Sequence, residues 1–196
     1  MNYLAHLALA EATPESLLGN LLGDFRKGLD LETLPAAIVE GIHQHQRVDI
    51  FTDTHQVVKQ AKQLIHPDRR RFAGILLDVF YDHYLSIHWS NYFSISRRLF
   101  INRFYDLLRE RLNSLPEHLQ SAAPYLIDQD WLGSYETLEG IELTLQRMSD
   151  RMRRSNPLAA GIEDLTQNYD ALERSFLGFF PDLLSYVKEG QLVVKE

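Results

Sequence analysis

Apolar residues recur along this chain at helical spacing, and strand-like alternation is nearly absent. Val57, Val58, Ala61, Leu64 and Ile65 follow the i, i+3, i+4, i+7 rule, as do Leu99, Phe100, Phe104, Leu107, Leu108 and Leu112. Pro14, Pro35, Pro67, Pro116 and Pro157 stand where the first turn of a helix tolerates a residue without an N–H. The pattern predicts an all-α fold, a single compact multi-helix domain over residues 1–196, of roughly seven to nine helices with short connections. An aromatic stripe from Tyr169 to Pro181 is expected to close the core.

Against this background certain polar residues stand out. Asp78 and Asp82 are i and i+4, so a helix puts both on one face. The surrounding run, from Val79 to Trp89, is otherwise rich in Val, Phe, Tyr, Leu and Ile, with His83 and His88 inside it. Such a helix is apolar around most of its circumference and should be buried. Adjacent buried carboxylates need a cation or a shared proton.

A second anomaly lies between Ile38 and Asp53. On a helical wheel Ile38, Val39 and Ile42 define the apolar face, and His45 and Asp49 fall on that same face. Asp53 lies near the same line, Arg47 points the other way, and His43 sits at the edge, outside the candidate site. Asp24 closes the stretch Gly19-Asn-Leu-Leu-Gly23-Asp24, whose glycines permit close backbone approach. His6, inside Leu4-Ala-His-Leu7, is the fourth candidate. Each has an ordinary reading alone: a core histidine is commonly a hydrogen-bonded residue, and an aspartate at a helix end is commonly a cap. Two helices that each turn His and Asp inward make a constellation. Imidazole and carboxylate without thiolate suit Mg, Mn, Fe or Zn.

Composition removes several classes. There is no cysteine, so disulfides, thiolate catalysis and Cys-based metal sites are excluded. The net charge of −7 argues against a nucleic-acid partner. No apolar run approaches the ~18–20 residues of a membrane span, and the first ten residues lack the basic start of an export signal. No membrane partner is expected, and the cytoplasm is the expected location. P-loop, GxGxxG, GxSxG and HExxH motifs are missing. A di-iron bundle needs Glu-x-x-His twice, and only Glu40-Gly-Ile-His43 fits. Two basic clusters, Arg69-Arg70-Arg71 and Arg151-Met-Arg153-Arg154, read as solvated surface.

Five stretches together resemble the acyl carrier protein phosphodiesterases, a divergent branch of the HD-domain phosphohydrolases. They are Asn2-Tyr-Leu-Ala-His6-Leu, Gly19-Asn-Leu-Leu-Gly-Asp24-Phe, Gly41-Ile-His-Gln-His45-Gln-Arg-Val-Asp49-Ile-Phe-Thr-Asp53, Leu77-Asp78-Val-Phe-Tyr-Asp82-His83-Tyr-Leu and Tyr169-Asp-Ala-Leu-Glu. The resemblance implies a divergent HD-like fold. It also implies hydrolysis of the phosphodiester between 4′-phosphopantetheine and a serine of holo-acyl carrier protein, with Mn²⁺ or Mg²⁺. Within that reading Asp24, His45, Asp49, Asp78 and Asp82 are the metal candidates, and His6 and His83 are acid–base or phosphate-contact candidates. Arg69, Arg70 and Arg71 lead into the helix of Asp78 and Asp82 and are candidates for contact with the acidic carrier protein. Two positions depart from the pattern. The adjacent pair is Asp82-His83, in the reverse of the HD order, and Gln46 rather than arginine follows His45. Two other readings stay open: a metal phosphohydrolase of a nucleotide or another small phosphodiester, and a non-catalytic helical interaction protein whose buried Asp and His pair with each other.

Overall fold

The computed structural model of the protein describes residues 1–26 and 28–193, with backbone alone at 191–193. Every regular element among the described residues is helical. The α-helices are α1 (Tyr3–Leu9), α2 (Pro14–Leu22), α3 (Ala36–Thr54), α4 (Gln56–Ala61), α5 (Ala73–Ile87) and α6 (Arg97–Arg111). They continue with α7 (Glu117–Asp128), α8 (Trp131–Ser134), α9 (Leu138–Arg151), α10 (Gly161–Gln167) and α11 (Tyr169–Val193). Short 3₁₀ segments, such as Gly23–Phe25 and Pro67–Phe72, join several of them. The segments outnumber the expected helices because some expected helices are broken. The run from Val57 to Ile65 splits into α4 and the 3₁₀ segment Lys62–Leu64, and α4 is capped by His55, whose ring accepts the Val57 N–H.

Four of the five prolines mark starts. Pro14 opens α2 behind Thr13, whose side chain accepts the Ser16 N–H. Pro35 precedes α3, Pro67 opens the 3₁₀ segment Pro67–Phe72, and Pro116 is the N-cap of α7. Pro157 does not start a helix. It lies in a turn where Asn156 accepts the Leu158 N–H, and α10 begins only at Gly161.

The chain divides into two compact units, each drawing on both halves of the sequence. The first contains residues 1–2, 48–87 and 135 onward. Here α5 packs on α9 and α11. Leu172, Phe176, Phe179, Phe180 and Leu183 of α11 are fully buried, so the aromatic stripe is core. The Tyr81 ring meets Phe176 edge-on and stacks on Phe179. Arg69, expected at the surface, is buried instead. Its guanidinium grips Asp164 through Nε at 2.6 Å and Nη2 at 3.1 Å. Arg70 bonds Gln63 and the Ile65 carbonyl, and Arg71 is exposed over the Phe72 ring.

The second unit contains residues 3–47 and 88–134. α2 and α3 cross so closely at Gly19 and Gly41 that a Cβ on Gly19 would stand 2.3 Å from the Ile38 oxygen. No larger residue fits that crossing. Between α6 and the turn that joins α7 to α8, Tyr105 donates its O–H to Asp130 Oδ1 at 3.0 Å, and Arg98 donates to Asp130 Oδ2 at 2.8 Å. Asp130 sits at φ 44°, a left-handed position that aspartate tolerates better than most residues.

Candidate functional site

In the second unit, α1 carries His6 and α3 carries His45, and both are buried. Their rings stack with centroids 3.6 Å apart and planes 15° apart. His45 Nδ1 lies 2.8 Å from the Asn20 carbonyl oxygen. A carbonyl only accepts, so Nδ1 holds the proton, and in the neutral ring Nε2 is the nitrogen with the lone pair. Nε2 faces Asp24 Oδ1 at 3.8 Å. Asp24 belongs to the 3₁₀ turn Gly23–Phe25 that closes α2, and its side chain is 40% exposed. Gly23 makes this approach possible, since a Cβ there would stand 2.2 Å from His45 Cγ. The glycine turn therefore sets the carboxylate against the imidazole.

In the first unit, α5 turns Asp78 and Asp82 to one side, with Asp82 wholly buried and the Asp78 side chain 37% exposed. The Met1 ammonium donates to Asp78 Oδ1 at 2.7 Å and stands 3.8 Å from Asp49 Oδ1. Burial pulls the pKa of this amine down. Asp78 and Asp49, and more weakly Asp82, outweigh that and hold it above its ordinary value. Three carboxylates thus already act on one positive group.

α3 is one continuous helix that carries His45 and, one turn further, Asp49. The wheel sets Asp49 on the inner face and Asp53 near the same line, but the Asp49 side chain is 45% exposed and Asp53 also faces outward. His43 is exposed beside Glu40, and Asp53 is exposed and paired with Lys62 at 2.7 Å.

His83 is buried and committed to neighbours. Its Nδ1 donates to the Tyr135 carbonyl at 2.9 Å, so its Nε2 accepts from the Tyr169 hydroxyl at 2.8 Å. Burial, with Glu173 and Asp170 nearby, pushes the Tyr169 hydroxyl up, which favours the protonated donor. Tyr84 donates to the Tyr169 carbonyl at 2.7 Å and fixes the same turn.

The structure therefore adds Asn20, Gly23, Tyr135, Tyr169 and the Met1 amine to the residues expected from sequence. Asn20 is the one with a signal in the sequence, a polar residue between Leu17-Leu18 and Leu21-Leu22, and it is fully buried. Tyr169, expected only as core at the start of the aromatic stripe, is half-buried and bonds His83.

The donor chemistry of these side chains is imidazole nitrogen and carboxylate oxygen. That set fits a divalent cation of the kind that takes oxygen and nitrogen donors, such as Mg, Mn, Fe or Zn. The molecule is thus of the class of all-helical proteins that carry buried imidazoles and a buried carboxylate, groups that can hold cations and move protons. Over residues 1–183 the chain matches the family model described as acyl carrier protein phosphodiesterase. A relative from Enterobacter sp. (strain 638), named acyl carrier protein phosphodiesterase, is 37% identical over 196 residues, covering 98% of this chain and 100% of the relative. Relatives of the same name from Klebsiella pneumoniae (strain 342) and Escherichia coli O6:H1 are 35% and 37% identical with the same coverage. No solved structure matches. The chain belongs to the acyl carrier protein phosphodiesterase family.

Proposed function

We propose that this protein hydrolyses the phosphodiester joining 4′-phosphopantetheine to a serine of holo-acyl carrier protein, releasing apo-carrier protein and 4′-phosphopantetheine. The observation that carries the reading is end-to-end similarity to relatives of that name, in a chain that buries His6, His45, His83 and Asp82. It acts in the cytoplasm in this reading. In support, no helix among the described residues is long and apolar enough to cross a membrane. Kinship with the HD-domain phosphohydrolases rests on the shared use of His and Asp.

Asp24, His45, Asp49, Asp78 and Asp82 are the proposed holders of Mn²⁺ or Mg²⁺. When bound, the ion would lower the pKa of water and neutralise developing phosphoryl charge. The Asn20 carbonyl fixes the His45 ring so that Nε2 is presented. His6, stacked on that ring, is the proposed acid–base or phosphate contact. His83 was an equal candidate on sequence. With both nitrogens engaged, it is better read as the residue that orients Tyr169. For the carrier protein, Arg70 and Arg71 remain the proposed contacts, while Arg69 is held by Asp164 and serves the fold. The test is a substrate panel in Mn²⁺. Turnover of holo-carrier protein far above that of nucleotide and small phosphodiesters is expected, and a preference for a nucleotide would overturn the reading.

A further inference from the structure

We propose that Gln44, with Asn20 behind it, is a positioning residue of the site: its amide grips the end of α1 and so sets His6 face to face on His45. The kinetic consequence rests on the proposed function, and the grip itself does not.

Gln44 stands immediately before His45 on α3, and its amide is buried. Its Nε2 donates to the Leu9 carbonyl at 2.7 Å. Leu9 closes α1, and a helix leaves its last carbonyls without partners of their own. α1 has seven residues, and a helix that short has little stability alone. Its orientation therefore comes from contacts outside it. His6 lies three residues before Leu9, about 4.5 Å along the helix axis, so a hold on the Leu9 carbonyl is close to a hold on His6. Adjacent residues of α3 thus meet α1 twice, through the Gln44 amide and through the His45 ring at 3.6 Å from that of His6.

Asn20 serves the same two residues from α2. Its main-chain oxygen takes the His45 Nδ1 proton at 2.8 Å. Its Nδ2 donates to the Ser16 carbonyl at 3.0 Å and faces Gln44 Oε1 at 3.5 Å. These partners give the Gln44 amide one orientation. Exchanging its oxygen and nitrogen would set oxygen against the Leu9 carbonyl oxygen, and NH₂ against the NH₂ of Asn20. Among the described residues, Asn20 Oδ1 is buried without a hydrogen-bond partner. A buried polar atom in that state is destabilising, and an apolar residue between Leu18 and Leu21 would avoid it. Stability alone therefore does not explain this pair of amides. A polar network that permits one arrangement of α1, α2 and α3 does.

Gln44→Met keeps the length of the side chain and removes both of its hydrogen bonds. In the metal-free protein the ring protons of His6, assigned with His6→Gln, should lose most of the upfield NMR shift that the stacked His45 ring induces. In Mn²⁺ the kcat on holo-carrier protein should fall about tenfold or more, as misplacement by a fraction of an ångström does, with KM changed by less than about twofold. Asn20→Leu, which keeps the main-chain carbonyl, is the second variant should the first fail to fold. It should unfold at the same or a higher urea concentration than wild type and show the same losses of shift and kcat. A wild-type His6 shift in a folded variant would overturn the grip. A kcat that falls only in step with the urea midpoint, or a lost shift with kcat unchanged, would overturn the positioning role. A wild-type enzyme inactive on holo-carrier protein would instead sink the proposed function, and the His6 shift would still decide whether Gln44 sets the stack.

Discussion

The imidazole rings of His6 and His45 lie face to face, 3.6 Å between centroids, in a buried part of the second unit. Two rings this close cannot both be charged cheaply without an anion or a compensating arrangement around them. Their roles are set by partners: His45 gives its Nδ1 proton to the Asn20 carbonyl. His45→Ala leaves that buried carbonyl without this donor. The expected loss is about 1–3 kcal/mol in urea unfolding, together with the loss of Mn²⁺ binding in calorimetry. Unchanged Mn²⁺ binding would remove His45 from the metal site.

Gly23 is the sharper probe of geometry, because the substitution adds one methyl group and no charge. Gly23→Ala drives a Cβ to 2.2 Å from His45 Cγ, so the ring or the turn of Asp24 must move. Misplacement by about 1 Å can cost on the order of 100-fold in rate. Activity on holo-carrier protein should fall by that order while far-UV circular dichroism stays unchanged. Gly74→Ala is the control, since a Cβ at Gly74 meets nothing within 4 Å. It should be neutral or stabilising by up to about 1 kcal/mol.

Arg69 and Arg71 are two residues apart and should behave in opposite ways. Arg69→Ala strands the Asp164 carboxylate at 2% exposure, which should cost about 3–5 kcal/mol in chemical denaturation. The double variant Arg69→Met, Asp164→Leu should recover most of that loss. Arg71→Ala should stay within about 0.5 kcal/mol of wild type and show its effect in the KM for the carrier protein.

Asp130 gives a pH dependence with a defined sign. Burial pushes its carboxyl up, but the bonds from Arg98 and Tyr105 outweigh this and hold it below the usual carboxylate value. Its stabilising contribution is therefore complete above the unfolded pKa, about pH 4, and is lost as the pH falls through the lower folded value. Asp130→Asn keeps a residue that tolerates φ 44°. Its Tm should lie below that of wild type at pH 7, and the gap should close on acidification below about pH 4. A gap that widens in acid would contradict the assignment.

The sequence made much of this legible, for physical reasons that differ by element. Helical period identified α4 and α6, and the wheel readings identified α3 and α5, because burial of one face is what stabilises them; the stripe that belongs to α11 was read as core, not as a helix. The wheel of α3 turned His45 inward correctly, but it also set Asp49 inward, whose side chain is 45% exposed, about as much as that of Arg47 on the opposite side. Arg69 was misread because a run of three arginines looks solvated. Its partner, Asp164, is 95 residues away and could not be seen from local pattern. Pro157 misled for a related reason: proline marks turns as readily as helix starts, and Asn156 makes the turn here. His83 looked like a spare acid–base group because its acceptor and donor, at Tyr135 and Tyr169, come from distant segments. The stacking of His6 on His45 had no sequence signal beyond two polar residues on apolar faces.

The central claim is a reaction that removes the whole phosphopantetheine group from a carrier protein through the side chains around His45. Mass spectrometry of intact holo-acyl carrier protein, after incubation in Mn²⁺ with wild type and with His45→Ala, tests it most directly. The account predicts conversion to the apo mass by wild type, with free 4′-phosphopantetheine in solution, and an unchanged holo mass with the variant. A holo mass that survives wild-type enzyme, or equal conversion by His45→Ala, would contradict it.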